Sequence, residues 1–115
     1  MSDCIFCKIA AGEIPSTCLY DDEDVFAFRD INPQTPVHFL VIPKTHIATG
    51  VKDITAENSA VVGKCFEVIA KLARQEGMEE DGYRVISNCG ENAGQTVPHL
   101  HFHVLGGVKM NDKMA

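Results

Sequence analysis

Three of the chain's five histidines fall within five residues, at His99, His101 and His103, in the run Pro98-His99-Leu100-His101-Phe102-His103-Val104-Leu105. Imidazole and apolar side chains alternate with the two-residue period of a β-strand. The pattern predicts a strand over 98–105 that buries Leu100, Phe102 and Val104. All three imidazoles then turn to the opposite face, neighbours about 6–7 Å apart. A lone histidine reads as a satisfied or exposed side chain. Three in register on a half-buried strand read as a site with a rigid base.

The rest of the chain supplies partners for that strand. Strands are expected at Thr17–Tyr20, Val25–Phe28, Val37–Ile42 and Tyr83–Asn88, with Asp21-Asp22-Glu23-Asp24 as a tight acidic turn and Pro33 and Pro36 as breaks. In the third strand Val37, Phe39 and Val41 share one face, and His38, Leu40 and Ile42 the other. From Thr55 to Glu76 the period becomes helical. Val61, Cys65, Val68 and Leu72 form a stripe flanked by Val62, Phe66, Ile69 and Ala73. Thr55 is the expected cap and Gly77 the expected left-handed stop. Cys4–Ala11 is a metal knuckle or one helical turn. The order predicts an α+β domain over residues 1–115, an antiparallel sheet with one long helix on one face. The other face looks too polar for a second core.

Composition sets limits. A length of 115 residues suits one domain, and a formal charge of −6 argues against a nucleic-acid footprint. A single nucleotide remains possible, held by backbone N–H groups and imidazoles. No apolar run is long enough to span a bilayer, and the opening residues do not read as a signal peptide. Five cysteines do not make a disulfide framework. The cytoplasm is the expected compartment.

Two chemistries suit the histidine face. One is a catalytic metal, although no Asp or Glu adjoins the strand to complete a two-histidine, one-carboxylate set. The other is nucleophilic attack by neutral imidazole, which needs Nδ1–H of His101 held by a backbone carbonyl so that Nε2 is free. The loop before the strand favours the second. Asn88, Gly90, Gly94, Gln95 and Thr96 combine small size with hydrogen-bonding groups, as a phosphate cradle requires. His38 is placed near His101 if the two strands are neighbours. Cys4-x2-Cys7 is half of a zinc site at a common spacing, or a pair of packing thiols; Cys18, Cys65 and Cys89 read as packing residues or free thiols.

At these residues the chain resembles the histidine triad family. His99-Leu100-His101-Phe102-His103-Val104-Leu105 fits its His-φ-His-φ-His-φ-φ motif, φ being apolar. Asp3-Cys4-Ile5-Phe6-Cys7-Lys8-Ile9, Phe28-Arg29-Asp30-Ile31, Pro36 to Lys44, Gly94-Gln95-Thr96 and Gly106-Gly107 extend the likeness, and the Leu-Gly-Gly ending is similar to the Hint branch of purine nucleoside phosphoramidate hydrolases. The resemblance implies a five-stranded antiparallel sheet with one short and one long helix, paired as a homodimer. It implies that His101 attacks the α-phosphate of a nucleoside phosphoramidate to give a nucleotidyl-histidine that water hydrolyses. Dinucleoside polyphosphate hydrolysis, or nucleotide binding without turnover, is the alternative. By resemblance His99, His101, His103 and His38 make up the catalytic set; His103, Asn88 and Thr96 contact the phosphate, His38 orients or relays protons, and Asp30 holds the ribose. Gly94 and Gln95 complete the loop, and Phe6, Ile9, Phe28, Ile31 and Leu40 surround a purine. Zinc-bearing members imply Cys4, Cys7, His46 and His99 as a Cys2His2 set for structural zinc, with no catalytic metal. Four departures are visible: Pro98 removes a donor, Thr96 stands where the Hint branch commonly has serine and keeps the hydroxyl, Arg29 stands next to base-pocket positions and so bears on base preference, and the tail from Val108 lacks an aromatic-proline ending.

Overall fold

The computed structural model describes residues 4–113; Asp3 of the opening motif and the last two residues lie outside them. The elements run α1 (Ile5–Ala10), β1 (Cys18–Asp21), β2 (Val25–Arg29), β3 (Val37–Pro43), α2 (Ser59–Gln75), β4 (Tyr83–Ile86) and β5 (Phe102–Gly106). The five strands form one antiparallel sheet in the order β1-β2-β3-β5-β4, as the α+β expectation required. Short turns join β1 to β2 and β2 to β3. In the first, the Asp22 carboxylate accepts the N–H groups of Asp24 and Val25, both at 2.8 Å. The chain then crosses through α2 to the far edge and returns as β5, between β3 and β4.

The two sheet faces carry different loads. Val25, Ala27, Phe39, Val41, Phe102 and Val104 pack under Cys65, Val68, Ile69, Leu72 and Ala73 of α2. This is the main core. The opposite face is not merely polar. Phe26, Phe28, Leu40 and Ile42 form a second, smaller cluster capped by Phe6 from α1. The sequence understated this face because Phe6 is a single buried side chain on a helix of six residues. So short a helix has little stability of its own and depends on what pins it to the sheet.

Several boundaries move for physical reasons. β5 begins at Phe102 rather than Pro98, because Pro98 offers no N–H and β3 pairs only as far as Val41↔Phe102. Before it, the His99 N–H bonds to the Val97 carbonyl (2.8 Å) and the Leu100 N–H to the Ala48 carbonyl (2.9 Å). α2 starts at Ser59, not Thr55. Residues 55–58 instead close a turn in which Asn58 Oδ1 accepts the Thr55 N–H (2.8 Å) and Thr55 Oγ1 the Glu57 N–H (3.2 Å). Gly77 ends the helix in the left-handed region (φ 77°), as expected. Phe66 leaves the buried stripe, with 47% exposure, although its ring packs on Phe102. β4 stops at Ile86 instead of Asn88. Leu72, 2% exposed, sits mid-core. Leu72→Ala is expected to destabilise the fold by about 2–5 kcal/mol, read as a lower urea midpoint at unchanged m-value.

Candidate active site

Strand register assembles the site. β3 and β5 pair Leu40 with His103 and His38 with Leu105, so His38 and His103 share the α1 face as neighbours along the two strands. Their rings meet, with His38 Nε2 3.0 Å from His103 Nδ1. The His101 and His103 ring centroids lie 5.1 Å apart. Alternation therefore survives through 99–103 although the ladder begins late. Leu100, Phe102 and Val104 enter the main core, and the imidazoles face the other way.

The proton on each ring follows from its partners. His101 Nδ1 lies 2.6 Å from the His99 carbonyl, which can only accept, so His101 is protonated at Nδ1 and Nε2 keeps the lone pair. That Nε2 has no hydrogen bond among the described residues, and no buried side-chain nitrogen or oxygen there lacks one. Nε2 is therefore open to solvent even though the residue as a whole is 6% exposed. His38 is the mirror case. The Gln34 N–H donates to its Nδ1 (3.0 Å), so its proton is on Nε2 and points at His103 Nδ1. Neutral His103 then carries its own proton on Nε2, as a donor on the open side. Burial lowers the affinity of both His101 and His103 for a second proton, while the Asp30 carboxylate works in the other direction.

Asp30 arrives from the end of β2, with Oδ2 3.4 Å from His38 Nε2 and 3.9 Å from His103 Nδ1. Its other oxygen accepts the Asn32 N–H at 2.8 Å. The fold thus supplies the carboxylate that the strand lacks in sequence, and Asp30, His38 and His103 have the residue types of a metal site. Their hydrogen bonds oppose that use. Nε2 of His38 bears a proton as long as Gln34 donates to Nδ1, so it offers no lone pair to a cation.

The opposite holds at the second cluster, Cys4, Cys7, His46 and His99, whose ligand atoms lie within 4.8 Å of one another. His99 Nε2 donates to the buried Pro43 carbonyl (2.9 Å), leaving the Nδ1 lone pair among the sulfurs. That Nδ1 is 3.2 Å from Cys4 Sγ and 3.5 Å from Cys7 Sγ, and His46 Nδ1 is 3.6 Å from Cys7 Sγ. Tetrahedral zinc, with bonds of about 2.3 Å to sulfur and about 2.0 Å to nitrogen, spaces such neighbours by roughly 3.5 Å. The donor set fits. Burial, reinforced by the adjacent Cys4, pushes the Cys7 thiol up to about 11, and burial pushes His99 down to about 4. A divalent cation would reverse the first effect and match the second. His99 is fully buried and faces this cluster, apart from the open nitrogens of His101 and His103.

The remaining expected residues divide. Phe6, Phe28 and Leu40 lie in the second cluster with Ile9 against it, and Phe6 stands edge-on to His101 at 4.9 Å. Ile31 is not among them; it is 96% exposed on the turn after Asp30. Arg29 turns to the α2 side and pairs with Glu76 at 2.8 Å, away from the base-pocket residues. Asn88, Gly94 and Thr96 lie on the β4–β5 loop, with Gly94 at φ 80°. Gln95 is committed inside that loop: its amide oxygen accepts the Gly90 N–H (2.8 Å), and its nitrogen donates to the Thr49 and Val97 carbonyls. Gln34, Pro43 and Ser87, whose hydroxyl donates to the His101 carbonyl at 2.8 Å, were not singled out in the sequence. Gln34 and Pro43 act through backbone atoms, for which side-chain type gives no signal.

This fold and site define a histidine-triad protein: the HIT domain model matches residues 11–110, and the chain belongs to that family. Purine nucleoside phosphoramidase of Escherichia coli K12 is 49% identical over 96% of this chain and 92% of its own length. A 14 kDa zinc-binding protein of Zea mays is 49% identical over 96% of this chain and 86% of its own. A HIT family hydrolase from Clostridium thermocellum superposes with a TM-score of 0.96 at 50% identity, covering 100% of this chain and 99% of that one.

The depressed His99 gives a pH prediction. Its ordinary value is 6.5 and its folded value about 4, so the unfolded chain takes up the proton first. The stability this neutral ring contributes is complete above pH 6.5 and is lost as pH falls toward 4. In chelator, the melting temperature is expected to fall across that window, and His99→Gln to flatten the fall.

Proposed function

We propose that this hydrolase of the HIT family cleaves the phosphorus–nitrogen bond of purine nucleoside 5′-phosphoramidates through His101. The carrying observation is the partner at Nδ1 of His101: the His99 carbonyl 2.6 Å away can only accept, which leaves Nε2 free, and the His103 ring lies alongside with centroids 5.1 Å apart. His101 Nε2 attacks the α-phosphorus, the phosphorus–nitrogen bond breaks, the amine leaves with a proton taken from solvent, and a nucleotidyl-histidine forms. Water then attacks the same phosphorus, returns a proton to solvent, and restores the neutral imidazole with release of the nucleoside monophosphate. His103 Nε2–H, Asn88, Thr96 and the backbone at Gly94 stabilise the phosphoryl oxygens. His38 fixes the proton of His103. Asp30, with acceptor sites to spare beyond Asn32, binds ribose hydroxyls. Phe6, Ile9, Phe28 and Leu40 receive the base, and Ile31 gains cover when it binds. The E. coli relative's name supports this substrate class.

Two further parts belong to the reading. Cys4, Cys7, His46 and His99 hold structural zinc, supported by the donor geometry and the maize relative's name. It pins α1 to the sheet, and the free thiols it needs suit a reducing cytoplasm. No helix among the described residues is long and apolar enough to cross a membrane. The protein pairs as a homodimer through β4, which bonds to β5 on one side only and carries Tyr83 and Val85 exposed, with Phe66 exposed on α2.

His101→Ala is expected to lower phosphoramidate hydrolysis by at least about a thousandfold with the fold intact. Quenching labelled substrate in alkali, where the acid-labile phosphorus–nitrogen bond of a nucleotidyl-histidine survives, should place the nucleotide on His101 in the wild type; label on another residue removes His101 as nucleophile. Val85→Asp is expected to shift the light-scattering mass from two chains to one, and an unchanged mass would move the interface elsewhere.

A further inference from the structure

Cys4 and Cys7 bracket Phe6 on α1, so the metal-ligand cluster reaches the nucleophile by two short paths. In the first, the His99 ring is held at both nitrogens, Nδ1 among the cysteine sulfurs and Nε2 on the Pro43 carbonyl. The same residue's carbonyl accepts Nδ1–H of His101 at 2.6 Å. In the second, the Phe6 ring stands edge-on to His101 (4.9 Å, 86°) and touches the side of His99 (6.0 Å). His99 is 0% exposed, which leaves it no access to a substrate.

We propose that His99 is a positioning residue through which occupancy of the Cys4–Cys7–His46–His99 centre sets the alignment of His101, the metal-loaded protein being the fast form and the metal-free protein the slow one. This rests on the reading of His101 as nucleophile. A coordinate bond at Nδ1 fixes the ring plane of His99 and, through the backbone it is attached to, the direction of its carbonyl. That carbonyl is the acceptor that orients His101. Without the ion, His99 keeps only its bond to Pro43 in strong form, and the sulfur contacts become weak thiol–imidazole hydrogen bonds. α1 then rests on the packing of Phe6, Ile9 and Ala10 and on those weak contacts, and the ring edge that abuts His101 loosens with it. In-line attack tolerates little misalignment, since a displacement near 1 Å costs about a hundredfold in rate. The Pro43 carbonyl completes the arrangement as the outer partner of a metal-binding imidazole, the kind of contact that fixes ring orientation.

The test compares zinc-loaded protein, chelator-stripped protein and Cys4→Ser/Cys7→Ser, each labelled with 15N-histidine. In the loaded wild type the Nδ1–H resonance of His101 is expected to be sharp and slow to exchange with water. Stripping should broaden or erase it and lower kcat about ten- to a hundredfold, with KM changing less than about twofold. Added zinc should restore both in the wild type and neither in the double variant. His46→Gln, which leaves α1 and His99 intact, should regain the signal and the rate only at higher zinc, and it serves if the double variant does not fold. An unchanged resonance and kcat on stripping overturns the proposal. So does a loss of rate that follows the unfolded fraction by circular dichroism while the folded molecules keep the His101 signal; zinc is then a staple only. If loaded protein never carries nucleotide on His101, the hydrolytic reading fails, and the resonance comparison alone decides whether His99 positions the ring.

Discussion

The register between β3 and β5 is the constraint on which the site depends. Pairing Leu40 with His103 places His38 and His103 on one face, and it leaves Phe39 and Val104, the opposed pair one step along, in the main core. A slip of one residue would send His103 under α2 and bring Val104 out to the polar side. The large apolar surface of α2 therefore enforces an arrangement of imidazoles that it does not touch. Asp30 is tied to the same register, because its N–H bonds to the His38 carbonyl at 3.1 Å just past the end of β2. Folding energy is spent on one side of the sheet, and its consequence is precision on the other.

Much of this was legible in the sequence because it lies in side-chain period. The alternation of His99 to Val104, the face of Val37–Ile42 and the helical stripe through Cys65 and Leu72 each predict a direction, and each direction holds. What escaped involves backbone atoms or chance proximity. The Gln34 N–H that decides the tautomer of His38 could belong to any residue but proline. Asp30 lies 73 positions from His103 in sequence, so its approach to that ring needs the sheet. Gln95 looked like a ligand because its amide is versatile, and the loop uses that versatility internally. Arg29 misled in a simpler way: adjacency in sequence to Phe28 and Asp30 means opposite faces in a strand. The late start of β5 had a signal, Pro98, whose cost to the ladder extends over the residues after it.

Four histidines of one chemical type thus take separate roles, and what separates them is the neighbour at one nitrogen. A carbonyl at Nε2 leaves Nδ1 of His99 with its lone pair among the sulfurs. A carbonyl at Nδ1 leaves Nε2 of His101 with a free lone pair. An N–H at Nδ1 makes His38 a donor, and that donor in turn makes His103 one. The same logic decides between the two clusters that have the residue types for a cation. Residue type and spacing admit both; the position of the protons favours Cys4, Cys7, His46 and His99, and keeps Asp30, His38 and His103 for hydrogen bonding. The cysteine cluster and His101 then adjoin on one short segment without competing for a nitrogen, because His99 presents its ring to one and its carbonyl to the other.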